Sequence, residues 1–117
     1  MKINRKRAMA IWEKRYGPEE RATDFAGREM ERDAYNDRNS ELSWNMDHVL
    51  PKSKGGKATE SNLVCCNMRT NDEKAASFPV FRTNGIRFQV LMKHGHCEIQ
   101  ECRMALGDGG KTVWNGI

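Results

Sequence analysis

Apolar side chains at Ala8, Ile11, Trp12 and Tyr16 recur at helical spacing, with Arg5, Arg7, Lys14 and Arg15 largely off that stripe. Gly17-Pro18 ends the pattern, because glycine suits the left-handed cap and proline cannot continue a helix. A second helical stretch is expected over residues 18–33, although Gly27 sits inside it. Tyr35-Asn36-Asp37-Arg38-Asn39-Ser40 is dense in turn formers and reads as a loop. Leu42 to Leu50 is strand-like, Lys52 to Ser61 is a polar loop containing glycine, and Leu63-Val64-Cys65-Cys66 makes a second short strand. Met68 to Ala76 favours a helix. Beyond Pro79, Val80-Phe81-Arg82-Thr83 and Ile86-Arg87-Phe88-Gln89-Val90 flank Asn84-Gly85, the two-residue signal of a hairpin. Lys93-His94-Gly95 turns the chain again before Cys97-Glu98-Ile99. The last dozen residues, with Gly107, Gly109, Gly110 and Gly116, read as irregular.

This order predicts an α+β fold in a single domain spanning 1–117. A ββα core occupies about 42–76, preceded by N-terminal helices over 4–33 and followed by a β-hairpin or meander over 79–102. No repeat or low-complexity tract divides it. The 117 residues suffice for one core, but only 38% are apolar and 31% are charged, so that core is modest and the surface highly polar. Trp12, Trp44, Trp114 and four Phe supply the anchors a disordered chain would lack.

Composition narrows the functional classes only partly. A formal net charge of +4 suits a polyanionic partner, without singling one out. No apolar run approaches the roughly 20 residues that span a bilayer. The basic start at Lys2, Arg5, Lys6 and Arg7 leads into an amphipathic helix, unlike a signal peptide. Cys65, Cys66, Cys97 and Cys102 form no recognisable disulfide framework, so reduced thiols and a cytoplasmic location are expected. His94, His96, Cys97 and Cys102 match no standard zinc spacing.

The chemistry gathers around Trp44-Asn45-Met46-Asp47-His48-Val49-Leu50-Pro51, followed by Gly55-Gly56, Asn62-Leu63 and Asn71-Asp72-Glu73-Lys74. Successive strand residues point to opposite sides, so Asp47 can hold a metal on one side while His48 faces a water on the other. An imidazole with an ordinary pKa near 6.5 is a serviceable neutral base at physiological pH. An Asp-His pair alone is weak evidence; its order with the later Pro, Gly-Gly, Asn-Leu and Asn-x-x-Lys is much stronger.

That order resembles the HNH nuclease family, whose ββα-metal core sets a metal ligand beside a general base. The resemblance runs over residues 44–76, with a lead-in at Phe25-Ala26-Gly27-Arg28. It implies that Asp47 and Asn71 are metal ligands, that His48 is the general base, and that Asn62 orients the catalytic loop. It also implies a nucleic-acid substrate, DNA being favoured, cut to 5′-phosphate and 3′-hydroxyl ends. Where many members carry a Cys-x-x-Cys zinc knuckle, this chain has Asn67 and Thr70, so no structural zinc is expected there. Carboxylate and amide oxygens are hard ligands and favour Mg²⁺, with Mn²⁺ as a substitute.

Lys52, Lys54, Lys57, Arg69 and Lys74 lie on or beside the motif as candidate phosphate contacts, which position a strand without reading its sequence. Arg5-Lys6-Arg7 is a possible second contact. Arg28 reads as a structural ion-pair partner, Cys65 and Cys66 as core thiols, and Trp12 and Trp44 as core anchors. A binding module that keeps the scaffold without cleaving, and a toxin-type nuclease paired with an immunity protein, are the alternatives. One motif makes one cut, and the sequence leaves the oligomeric state open.

Overall fold

The computed structural model describes residues 3–102 and 110–116. Helix α1 spans Arg5–Tyr16, started by the Asn4 side chain accepting from the Arg7 backbone N–H and stopped at Gly17, whose φ is 64°. Strands β1 (Arg21–Thr23) and β2 (Glu29–Glu31) form an antiparallel hairpin. Strands β3 (Trp44–His48) and β4 (Leu63–Asn67) form a second antiparallel pair, and helix α2 (Met68–Lys74) follows β4 directly. A four-stranded antiparallel meander closes the chain: β5 (Val80–Thr83), β6 (Ile86–Lys93), β7 (His96–Glu101) and β8 (Lys111–Asn115). The fold is α+β, with the ββα unit at its centre.

Two expectations fail, each for a physical reason. The stretch 18–33 is a β-hairpin, so α1 is the single N-terminal α-helix among the described residues. Asp24 turns that hairpin. Its Oδ1 accepts from the backbone N–H groups of Ala26 and Arg28, and Gly27 takes a φ of 89°. A short acidic side chain that captures backbone donors two and four residues ahead competes with helical bonding. The chain end was expected to be irregular, yet Lys111–Asn115 pairs with β7 across a register shift at Ile99/Gln100. Gly107 and Gly109 lie outside the described residues.

The β3–β4 pair is covered on both faces. Leu63 and Cys65 look toward α1, where Trp12, Trp44, Met30, Tyr35 and Ile11 make one core. The Trp12–Trp44 and Tyr35–Trp44 ring centroids are each 4.8 Å apart. Val64 and Cys66 look the other way, into a second core with Phe81, Phe88, Val90 and Ile99 from the meander. Trp12 and Trp44 are core anchors, and their indole N–H groups donate to the carbonyls of Glu19 and Arg32. Burial pushes the Cys65 thiol up to about 12 and the Cys66 thiol well above its ordinary value, which makes both poor nucleophiles.

Arg28 is the structural partner expected. Its guanidinium reaches Thr70 Oγ1 at 3.2 Å, Thr83 Oγ1 at 2.9 Å and Glu73 Oε1 at 2.9 Å, joining the first hairpin, α2 and the meander. Glu73 also accepts from the Asn84 backbone N–H and the Thr83 hydroxyl. Those two bonds, reinforced by Arg28, hold its carboxyl down at about 2, from an ordinary 4.5.

A carboxylate held below its unfolded value stabilises the fold above about pH 4.5, and that contribution is lost as pH falls from there toward about 2. Glu73→Gln is therefore expected to lower the melting temperature at pH 7, with the gap from the wild type closing across that window. Thermal melts by circular dichroism between pH 7 and pH 2.5 check it. Because Glu73 is 44% exposed, the shift should be modest.

Candidate active site

Asp47 and His48 end β3, opposite Val64 and Leu63 of β4. Strand alternation sends Asn45 and Asp47 toward the side carrying Cys66 and Val64, and sends Met46 and His48 toward the side of Cys65 and Leu63. Helix α2 lies across the Asn45–Asp47 side. Asn71 Nδ2 donates to Asn45 Oδ1 at 3.0 Å, and three residues on, Lys74 Nζ sits 2.8 Å from Asp47 Oδ2. Positions i and i+2 of a strand are thus matched to positions i and i+3 of a helix. With its amide NH₂ directed to Asn45, Asn71 has its side-chain oxygen to offer another group.

Beyond His48 the chain stays tied to Asn62. The Val49 N–H donates to the Asn62 carbonyl, while Asn62 Oδ1 accepts from the Leu50 N–H at 2.8 Å. Its Nδ2 donates to the carbonyls of Leu50 and Lys57 at 3.1 and 3.0 Å. One amide side chain therefore closes both ends of the intervening loop. The Pro51–Gly56 turn folds so tightly against Leu50 that a Cβ on Gly56 would lie 1.7 Å from the Leu50 carbonyl oxygen, which explains that glycine. Helix α1 braces the same loop from outside: Arg7 donates to the Ala58 carbonyl, and Arg15 to that of Glu60 at 2.8 Å.

His48 is partly buried, and that burial pulls its pKa below the ordinary 6.5. The positive charges of Lys52 and Lys74 push the same way, while neighbouring Asp47 opposes them. The imidazole is neutral at pH 7 and able to accept a proton. Asp47 Oδ2 is buried and accepts no hydrogen bond; the Lys74 ammonium is close enough for a strong ion pair but off a hydrogen-bonding angle.

The candidate phosphate contacts divide. Lys52, Lys54, Lys57 and Arg69 are exposed at the loop and the start of α2. Lys74 is not: only 2% of it is exposed, its ammonium is committed to Asp47, and a surface phosphate cannot reach it. That placement corrects the expectation of a phosphate contact. Arg7, expected as a second contact, is exposed and gives one guanidinium N–H to the Ala58 carbonyl. Asn67 and Thr70 are knitted into the fold. Asn67 caps α2 by accepting from the Arg69 N–H and donates to the carbonyls of Glu29 and Glu41, while Thr70 accepts from Arg28.

The sequence reading passed over Asn45, which fixes Asn71, and did not foresee Lys74 as a buried counter-ion. The strand period of two already puts Asn45 on the face of Asp47, whereas nothing local marks Lys74 as inward-facing. Among the described residues, no three His, Cys, Asp or Glu side chains gather as a metal site. A metal here would rest on one carboxylate and one amide oxygen.

Removing the Asn62 side chain leaves the Leu50 N–H and two carbonyls without partners. Asn62→Ala is expected to destabilise the fold by roughly 2–4 kcal/mol, in line with unsatisfied buried groups. Urea unfolding measures it.

Residues 25–80 match the model for the HNH endonuclease family. No curated protein and no solved structure matches the chain. The matched segment starts at Phe25, includes the Asp24-turned hairpin's second strand, and contains Asp47, His48, Asn62, Asn71 and Lys74. The family's activity is metal-dependent cleavage of nucleic acid, and over residues 25–80 this chain is similar to the HNH endonuclease family.

Proposed function

We propose that the whole chain works as one metal-dependent endonuclease unit, with DNA the favoured substrate and His48 as general base. The observation that carries this reading is a partly buried imidazole of lowered pKa, placed directly after a carboxylate whose strand face is spanned by Asn71 and Lys74. Asp47 and Asn71 would hold the metal. The donor set fits a hard divalent cation: Asn71 presents an amide oxygen because its NH₂ is bound to Asn45, and Asp47 adds a carboxylate oxygen. We take that ion to be Mg²⁺, with Mn²⁺ substituting. When bound, it neutralises charge developing on the phosphate and on the departing oxygen.

His48 removes a proton from a water in line with the scissile bond. As the water oxygen bonds to phosphorus, the phosphorus–O3′ bond breaks, leaving a 5′-phosphate and a 3′-hydroxyl whose proton comes from solvent. Asn62 keeps the loop after His48 closed, so the imidazole meets the water from a fixed direction. Lys52, Lys54, Lys57 and Arg69 contact phosphates on either side and select shape more than sequence. The four unpaired cysteines support a reducing, cytoplasmic setting, and no helix among the described residues is long and apolar enough to cross a membrane.

Purified protein is expected to nick supercoiled plasmid with Mg²⁺ or Mn²⁺, to stop with EDTA, and to lose at least about a hundredfold in rate in His48→Ala, the usual scale for a general base. RNA and single-stranded DNA are run beside the plasmid. Binding without cleavage under every metal would favour the non-cleaving module instead. The rate should also follow pH. Because burial lowers the His48 pKa, the base form is lost only as pH drops through a midpoint below 6.5. Single-turnover nicking from pH 5 to pH 8 reads that midpoint, and one above 6.5 contradicts the assignment.

A further inference from the structure

A lysine that is 2% exposed needs a reason to be buried. Lys74 has its ammonium 2.8 Å from Asp47 Oδ2 and 5.4 Å from the centre of the Phe81 ring. It sits in the core formed with the meander, on the protein side of the carboxylate. Oδ2 is sealed from solvent, so an ion arriving with the substrate can reach Asp47 only through Oδ1. Lys74 thus occupies one oxygen of the carboxylate and leaves the other to the metal.

We propose that Lys74 is a positioning residue that makes metal binding depend on the nucleic acid. It turns Asp47 so that Oδ1 points outward, and it offsets much of the carboxylate's charge. Partners behind a metal ligand commonly are carbonyls or carboxylates that strengthen the ligand. A full positive charge behind the carboxylate does the opposite, because it repels a divalent ion and draws electron density from its ligand. Two protein oxygens, one of them weakened in this way, hold the ion poorly until phosphate oxygens join the shell. The exposed lysines at Lys52, Lys54 and Lys57 then bring substrate and ion together. The proposal rests on the reading of Asp47 as a metal ligand.

The test is Mn²⁺ binding, followed by electron paramagnetic resonance in the His48→Ala protein, with and without a duplex oligonucleotide. His48→Ala is used so that the oligonucleotide stays intact. Lys74→Met is expected to bind Mn²⁺ at least about tenfold more tightly without the duplex, as removal of an adjacent charge demands, while Lys74→Arg stays near the parent. In the parent, adding the duplex should tighten Mn²⁺ binding by about tenfold or more, and in Lys74→Met that gain should shrink. A folded Lys74→Met whose Mn²⁺ affinity is unchanged or weaker overturns the proposal and leaves Lys74 a structural counter-ion. If Lys74→Met does not fold, the parent alone decides: equal affinity with and without the duplex overturns it. Asp47→Ala separates the two levels. Mn²⁺ binding that survives this substitution refutes the ligand assignment itself, whereas binding lost in Asp47→Ala but unmoved in Lys74→Met refutes only the role of Lys74.

Discussion

Double-sided burial of the β3–β4 pair is the constraint on which the rest of the molecule depends. All five residues of β4 are buried, with Leu63 and Cys65 in one core and Val64 and Cys66 in the other. A strand covered on both faces has no tolerance for slippage, since a shift of one residue exchanges its two faces. The register Asp47↔Val64 and His48↔Leu63 is fixed as a consequence. Fixing it also settles which functional group looks toward α2 and which looks away. The cores on either side come from segments outside the ββα unit, so α1 and the meander set the geometry of the site from a distance.

Helix α2 shows why those outer segments are needed. Seven residues are far too few to hold a helix in water, where nucleation is costly and about 12–15 residues are marginal. Its stability comes from side chains that reach elsewhere: the Asn67 cap tied to Glu29 and Glu41, the Arg28 bonds to Thr70 and Glu73, and the Lys74–Asp47 pair. In the family pattern, cysteines at the positions of Asn67 and Thr70 would let a zinc ion do part of that work. Here hydrogen bonds run to the first hairpin instead. Asp24 is the hub of that arrangement, because one carboxylate oxygen shapes the hairpin turn and the other accepts from the Asn67 N–H at the start of α2.

Periodicity and turn chemistry made much of this legible from the residues alone. The Ala8–Tyr16 stripe gave α1, Asn84-Gly85 gave the β5–β6 turn, and the positive φ of His94 and Gly95 matches the expected second reversal. The Asp-His and Asn-Leu spacing located β3, the loop and β4. Misreadings occurred where one side chain redirects the backbone or where a partner strand is distant in sequence. Residues 18–33 carry enough polar and charged residues to pass for a solvent-facing helix, and only the bonding of Asp24 to its own backbone decides for a hairpin. Strand β8 carries strand-favouring Thr112, Val113 and Trp114, but the glycines on either side made the segment read as irregular. It is ordered by pairing with β7 and by Gly116, where a Cβ would come within 2.0 Å of the Ser61 carbonyl oxygen.

Lys74 failed to declare itself for a different reason. A lysine at the end of a short polar helix looks solvated, and nothing local marks the helix face that turns inward. Burying an ammonium and a carboxylate together is expensive, and removing either partner of such a pair commonly costs about 3–5 kcal/mol. An apolar residue at position 74 would pack in the same core without that desolvation, so stability alone is a weak reason for a charged pair beneath the site. The pair is better understood through what it does to Asp47: it fixes which oxygen faces outward and how much negative charge that oxygen presents. Asn45 acts likewise on Asn71, holding the amide so that its oxygen is the group on offer. Each candidate metal ligand is therefore oriented by a partner across the strand–helix contact, and the register of β3 against α2 carries both orientations at once.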